Sequence, residues 1–365
     1  MFANAYQGKK VFITGHTGFK GSWLAAWLLQ LGAKVCGFAH DIPTTPANFT
    51  ALNLKEHIQD VTGDIRDRAA LLKALQAFQP DVVFHLAAQA IVRKSYADPV
   101  ETFESNMLGT LNVLEAIRQT PSVQTAIIIT SDKCYRNDEW VYGYRETDHL
   151  GGHDPYSASK GCAELIAHSY CQSFFQTGPA CCTVRAGNVI GGGDWAQDRI
   201  VPDCARAWAA KEPVVLRNPQ ATRPWQHVLE PLSGYLWLGA KLLTAPDNQR
   251  LRGQAYNFGP RAEVCATVRE VVEGLALHWP NFQFTMEHKD PKEQAECTLL
   301  KLCCDKALAH LNWQATLNFE ETLRYTAEWY HCFYSQLAPV MLDFTLGQIA
   351  AYVTCATQRG QVWTA

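Results

Sequence analysis

The chain has 365 residues, enough for two domains or one large α/β unit with an appended lobe, and 47% of them are hydrophobic against 18% charged. That balance excludes a disordered protein. Lys and Arg total 32 against 35 Asp and Glu, a net charge of −3, so no general basic field exists to drive nucleic-acid binding.

The first half alternates β-rich runs with amphipathic stretches. In chain order the pattern predicts a strand over 10–14, a helix over 21–31, a strand over 34–38, a third short β-like run before Asp64, a helix over 68–77 and a strand over 82–86. It continues with a helix over 100–118, a strand over 125–130, a helix over 156–175 and a strand over 181–185. This rhythm is that of an α/β fold, a Rossmann-type doubly wound parallel sheet. After Asn188 the pattern loosens into Gly, Pro and Trp-rich segments, then gives one more helix and the strand Ala255 to Phe258. The expected division is therefore a dinucleotide-binding domain of residues 1–187 and 228–259, and a smaller, discontinuous substrate lobe of 188–227 and 260–335. A helical extension of 336–365 completes it. Its apolar stretch is interrupted by Pro339, Asp343, Gly347 and Gln348, so it reads as a packed helix and no membrane span is expected.

Thirteen cysteines include the adjacent pairs Cys181-Cys182 and Cys303-Cys304, which lack the spacing of paired metal knuckles; no metal is expected. With no charged-then-apolar leader at the N-terminus, the expected compartment is the reducing cytoplasm, the thiols serving as small core residues.

Strand one runs into Gly15-His16-Thr17-Gly18-Phe19-Lys20-Gly21 and then a helix. Glycines at this spacing allow a tight turn and close backbone approach, so a pyrophosphate can rest on the N–H groups and positive dipole of the helix N-terminus. Asp41 lies where a carboxylate can hold the adenosine ribose, with a solvated turn as its alternative. No Arg occurs between Gly21 and Asp60 to pair with a 2′-phosphate, so NAD is favoured over NADP. Asp64 and Ile65 are positioned to meet the adenine, and Leu86, Ala87 and Ala88 offer small residues where the dinucleotide lies close.

Tyr156-Ser157-Ala158-Ser159-Lys160 opens a helix after Pro155. At i and i+4 the Tyr and Lys share a face, so the ammonium can lower the phenol pKa and let a tyrosinate take a proton from a sugar hydroxyl. Lys160 can also hold the nicotinamide ribose. At the end of the preceding strand stand Thr130-Ser131-Asp132-Lys133. Strand carboxyl ends are where doubly wound folds place their chemistry, and this hydroxyl, carboxyl and amine form a second acid-base set beside Tyr156.

Together these features resemble the extended short-chain dehydrogenase/reductase family over nearly the whole chain. The stretches GHTGFKGSWL at 15–24, TSDKCY at 130–135, PYSASKG at 155–161, RAGNVIGGGDW at 185–195 and RPWQHVLEP at 223–231 look like its nucleotide-sugar 4,6-dehydratase branch. Relatives acting on dTDP-glucose or GDP-mannose typically show Thr-Asp-Glu where this chain has Ser131-Asp132-Lys133. The resemblance implies a hydro-lyase that uses NAD catalytically on CDP-D-glucose, works as a homodimer and supplies deoxysugars for surface polysaccharide such as O-antigen. It implies that Ser131 and Tyr156 handle the C4 hydroxyl, that Asp132 protonates the departing C6 hydroxyl, and that Lys133 stands where relatives keep the C5 base. A lysine at its reference pKa of ~10.4 is charged at neutral pH, so a base role requires a large downward shift; the alternative is electrostatic stabilisation of an enolate. By likeness Asn188 contacts the diphosphate, Arg199, Arg217 and Arg223 are candidates for diphosphate or nucleotide, and Asn106 with Gly109-Thr110 matches a structural helix motif. Near Ala295-Glu296-Cys297, where relatives often show His-Glu-Ala, no nucleobase contact is assigned. Two rivals share part of the pattern: an NAD-dependent sugar-nucleotide 4-epimerase, which has no use for an acid at C6, and a non-catalytic dinucleotide sensor, which has none for the Tyr156-Lys160 pair.

Overall fold

The computed structural model describes residues 1–216, 218–261, 264–280, 282–286, 300–337 and 340–365. Seven strands form one parallel sheet: β1 (Lys10–Thr14), β2 (Lys34–Ala39), β3 (Gln59–Thr62), β4 (Val82–His85), β5 (Thr125–Ile129), β6 (Ala180–Ala186) and β7 (Ala255–Phe258). Their spatial order is β3-β2-β1-β4-β5-β6-β7. The order reverses between β1 and β4, and that switch opens a crevice at the carboxyl ends of the strands.

Every residue of β4, β5 and β6 is buried, as a parallel sheet covered on both faces requires. Alternation along the strands assigns the faces. Val11, Ile13, Phe84, Ile127 and Ile129 pack with α1 (Phe19–Gln30), while Phe12, Val83, Ala126 and Ile128 pack with α2 (Arg68–Phe78), α3 (Gly109–Arg118) and α4 (Pro155–Ser173). On the first face lies α5 (Leu229–Thr244), which is apolar nearly all round and buried from Leu229 to Ala240.

The expected continuous helix over 100–118 is broken differently. Pro99–Phe103 leads into a π-helical turn, Glu104–Leu108, before α3. The wider turn lets Asn106 face inward, where it bonds Gln89 and Ser159. Beyond β6 the loosened sequence forms two-residue and three-residue ladders: Val189–Ile190 with Gln226–His227, Thr222–Arg223 with Ala266–Thr267, and Val214–Leu216 with Phe284–Met286. Helices α6 (Phe319–Tyr334) and α7 (Leu342–Gln358) close the chain. Among the described residues no helix is long and apolar enough to cross a membrane, no His, Cys, Asp and Glu cluster is built to hold a metal, and the cysteines are free thiols.

Helix α7 docks onto α1 through aromatic rings, with Trp27 edge-on to Tyr352 at 5.9 Å and Tyr352 stacked on Trp363 at 5.7 Å. Beneath them Glu230, at the start of α5 and 1% exposed, accepts hydrogen bonds from the amides of Thr316 and Leu317 at 2.8 and 2.6 Å and from the Tyr352 hydroxyl at 2.9 Å. Burial pushes this carboxyl up to about 7, the hydrogen bonds and Arg359 opposing. A raised folded-state pKa favours folding fully below the unfolded value near 4.5 and loses that contribution as pH rises through about 7. The stability of the native chain relative to Glu230→Gln is therefore expected to fall, by on the order of 3 kcal/mol, between pH 4.5 and 8. Urea denaturation across that range measures it; a pH-independent difference would contradict the assignment.

Candidate active site

At the end of β1 the chain turns through Gly15, whose φ of +76° lies in the region that favours glycine. A Cβ there would stand 2.7 Å from the amide nitrogen of Ala87, so the loop after β4 closes onto the turn. A Cβ at Gly21 would stand 2.2 Å from the Gly15 carbonyl oxygen, which makes it the contact between the turn and α1. Gly18 is the N-cap and supplies no side-chain bond. The first amides of α1, Phe19 and Lys20 included, have no acceptor within the helix and present its positive end to the crevice. A cradle without side chains, backed by such amides, fits a diphosphate.

Thr17 donates to the carbonyl of Asp41 at 2.7 Å, fixing the turn against the end of β2 and leaving the Asp41 carboxylate exposed beside His40. Asp64 is engaged otherwise. Arg66 grips its carboxylate at 2.6 Å, and those hydrogen bonds hold it below its ordinary range against a smaller effect of burial. Of the two predicted carboxylates Asp41 is thus the less committed. Ile65 is buried under α3, within 2.5 Å of where a Cβ on Gly109 would be. Leu86 donates to the Thr14 carbonyl at 3.0 Å and Ala87 to the Thr14 hydroxyl at 3.3 Å; Ala88 follows in the same loop. His85, bonded to Thr14 at 2.7 Å and Thr110 at 3.1 Å, is pushed down to about 3 by burial and by Lys160, and serves as a neutral bridge.

At the reacting end Pro155 begins α4 and Asp154 caps it. The amide of Tyr156 donates to Ser95 at 3.2 Å, and the residue is only 8% exposed. Burial raises it to about 12, while the Ser131 hydrogen bond and the Arg199 charge pull it down and Asp132 and Asp154 push it further up. The sequence reading gave that lowering to Lys160. Here the buried Lys160 is itself brought down to about 8, by desolvation, with Cys134 and Glu164 opposing.

Ser131 ends β5's extension and caps a 3-10 turn, Asp132–Cys134. Its hydroxyl donates to Asp132 at 2.9 Å and accepts from the Lys133 amide at 3.2 Å. Asp132 is buried, which raises its carboxyl, with the charge of half-buried Lys133, the Ser131 hydrogen bond and Lys20 acting in opposition. Lys20 is brought down to about 8 by desolvation and then by Arg199, with Asp132 and Asp194 opposing and Lys160 adding to the lowering. So the charge of Lys20, expected as a cofactor contact, also acts on the Asp132 carboxyl. Arg199, at the N-cap of the helix Ile200–Ala210, is paired with Asp194 at 2.9 Å and its charge reaches Tyr156.

Asn188 follows β6, its carbonyl accepting from the Gln226 amide at 3.1 Å. Arg223 lies in the short ladder opposite Ala266 and donates to the Thr222 carbonyl at 2.8 Å. Arg217 and the Ala295-Glu296-Cys297 segment lie outside the described residues.

Sequence reasoning missed what holds this arrangement. Glu164 and Arg185, each with a side chain 3% exposed, pair at 2.8 Å between α4 and β6. Thr183 donates to the same carboxylate at 2.7 Å, and Thr130 donates to its other oxygen. Arg185 also donates to the Tyr135 hydroxyl at 2.6 Å, which passes the chain to Asn257 at 2.8 Å. Burial would push Glu164 up, yet the Arg185 charge and these hydrogen bonds hold it below its ordinary value. The signal was present: Glu164 stands four residues after Lys160, as Lys160 stands four after Tyr156, on one helical face.

A family model described as GDP-mannose 4,6 dehydratase matches residues 12–326. The chain belongs to this family. Among members and relatives, it is 43% identical to the CDP-glucose 4,6-dehydratase of Salmonella typhimurium over 97% of this chain and 99% of that one. Among solved structures, the UDP-glucose 4-epimerase of Thermus thermophilus in complex with NAD is 26% identical with a TM-score of 0.72, over 88% of this chain and 99% of that one. An epimerase of Methanothermobacter thermautotrophicus, 23% identical with a TM-score of 0.76 over 92% and 96%, shares the fold.

For this member of the dehydratase family, Arg185→Met is expected to cost about 3–5 kcal/mol because it strands a buried carboxylate, whereas Glu164→Met with Arg185→Met together recovers most of that loss. Chemical denaturation of the single and double variants checks it. A single-variant loss under about 1 kcal/mol would show that the pair bears little of the stability.

Proposed function

We propose that the chain is an NAD-dependent hydro-lyase that converts CDP-D-glucose into CDP-4-dehydro-6-deoxy-D-glucose and water. The observation that carries the reading is a buried carboxyl, Asp132, raised by burial and joined through the Ser131 hydroxyl to the neighbourhood of a buried tyrosine. A 4-epimerase needs Tyr156 but no acid at C6. The CDP nucleotide rests on the likeness to the Salmonella enzyme.

The Gly15, Gly18 and Gly21 turn with Thr17, Phe19, Lys20 and Asp41, the Asp64-Ile65 and Leu86 to Ala88 segments, and Lys160 would hold NAD, which when bound supplies a hydride acceptor for C4 and a hydride donor for C6. Tyr156 in its ionised form, hydrogen-bonded by Ser131, accepts the C4 hydroxyl proton and becomes the neutral phenol. The resulting C4 carbonyl acidifies C5–H. Lys133 takes that proton or, if charged, stabilises the enolate; Asp132 gives its proton to the departing C6 oxygen, so the C6–O bond breaks and water leaves. C5 then regains a proton, and no net redox change results. Asn188, Arg199, Arg217 and Arg223 are proposed to bind the diphosphate and nucleotide.

A homodimer is proposed on the exposed apolar residues Tyr96, Val100, Leu108 and Leu165, carried by segments packed beside each other at α4. Free thiols suit the cytoplasm, and the product is proposed to feed deoxysugar assembly of surface polysaccharide.

Purified protein is expected to remove water from CDP-glucose without added cofactor, read by mass spectrometry. Recovery of CDP-galactose alone would support the epimerase instead. Tyr156→Phe is expected to bind substrate but slow reduction of the nicotinamide by about 10²-fold or more in a single turnover. Lys133→Met is expected to retain that reduction and lose both elimination and exchange of C5–H with solvent; exchange at the wild-type rate would leave only the electrostatic role for Lys133.

A further inference from the structure

Directly after β6 stands Gly187, and its backbone does not adopt the left-handed conformation that favours glycine. The φ there is one that residues with a side chain also adopt. What a side chain would meet is the catalytic carboxyl: a Cβ at 187 would lie 3.3 Å from Oδ2 of Asp132, 3.8 Å from its carboxyl carbon and 3.7 Å from Cγ of Pro224. The first of these contacts is tighter than packed carbon and oxygen adopt without one of them moving. Asp132 has little room to move. Its other oxygen takes the Ser131 hydrogen bond, its backbone is fixed in the 3-10 turn, and the residue is 5% exposed.

We infer that Gly187 is a positioning residue for the elimination half of the reaction: its missing side chain seats the Asp132 carboxyl and leaves space beside it for the C6 hydroxymethyl group of the sugar. This rests on the function proposed above and adds where the specificity for a C6 leaving group is set. Oxidation at C4 depends on Tyr156 and Ser131, neither of which is among the atoms nearest a Cβ at 187, so a side chain there acts first on the elimination half. Acid catalysis depends steeply on placement of the proton donor, and displacements of a fraction of an ångström are enough to register.

The test compares Gly187→Ala and Gly187→Val with the native enzyme on CDP-glucose and on CDP-xylose, the pentose analogue that has a C4 hydroxyl but no C6. Single-turnover absorbance of the reduced nicotinamide reports C4 oxidation, and product mass reports water loss. Gly187→Ala is expected to slow water loss from CDP-glucose by about tenfold, so that reduced nicotinamide accumulates, while C4 oxidation of CDP-xylose stays within about twofold of native. Gly187→Val should deepen the same split. Equal slowing with both sugars would overturn the inference in favour of general structural damage, and unchanged water loss in Gly187→Ala would overturn it outright. If native protein fails to remove water from CDP-glucose, the underlying function is what fails.

Discussion

Glu164 and Arg185 meet in the dry interior between the helix that carries Tyr156 and Lys160 and the strand that leads into Gly187 and Asn188. Two opposite charges removed from water are tolerated only where geometry and supporting hydrogen bonds are complete. Here Thr130, Thr183, Tyr135 and Asn257 complete them. Thr130 immediately precedes Ser131 and Asp132, so one carboxylate ties together the helix that carries Tyr156 and Lys160, the strand end that carries Ser131 and Asp132, and the strand that leads into Asn188. Loss of either charge would leave the other without compensation, which makes this pair the constraint on which the placement of the reacting groups depends.

The second theme is desolvation. Burial moves Lys160, Lys20 and Asp132 toward neutral pH, the condition under which weak acids and bases exchange protons there, whereas it moves the Tyr156 phenol further up, against the Ser131 hydrogen bond and the Arg199 charge. The cations Lys20, Lys160 and Arg199 converge where Asp132 and Asp194 supply the balancing charge. A diphosphate-bearing substrate entering such a site meets positive charge already in place.

Much of this was legible in the chain. The strand Lys10–Thr14 falls where an apolar, β-branched run places it, the strand Ala255–Phe258 where two aromatic residues do, and the helix with Tyr156 begins one residue early, at Pro155, because proline suits the first helical position. The glycine turn was readable because backbone approach demands it. What was not legible depends on contacts between distant segments. The π turn at Glu104–Leu108 exists to aim Asn106 at Gln89 and Ser159, which local periodicity does not encode. The opposing actions of Arg199 and Asp132 on the Tyr156 phenol are equally products of folding. The short ladders after β6 carry too few residues for any period to emerge.

Whether a single closed site takes hydrogen from C4 and returns it to C6 is tested most directly by isotope. A mixture of CDP-glucose carrying both deuterium at C4 and carbon-13 throughout the sugar, with unlabelled CDP-glucose, is converted, and the products are resolved by mass. The expected result is deuterium at C6 only in product that also contains carbon-13. Extensive deuterium in carbon-12 product, or its loss to solvent, would contradict a sequestered hydride and with it the reading of this site as that of a 4,6-dehydratase.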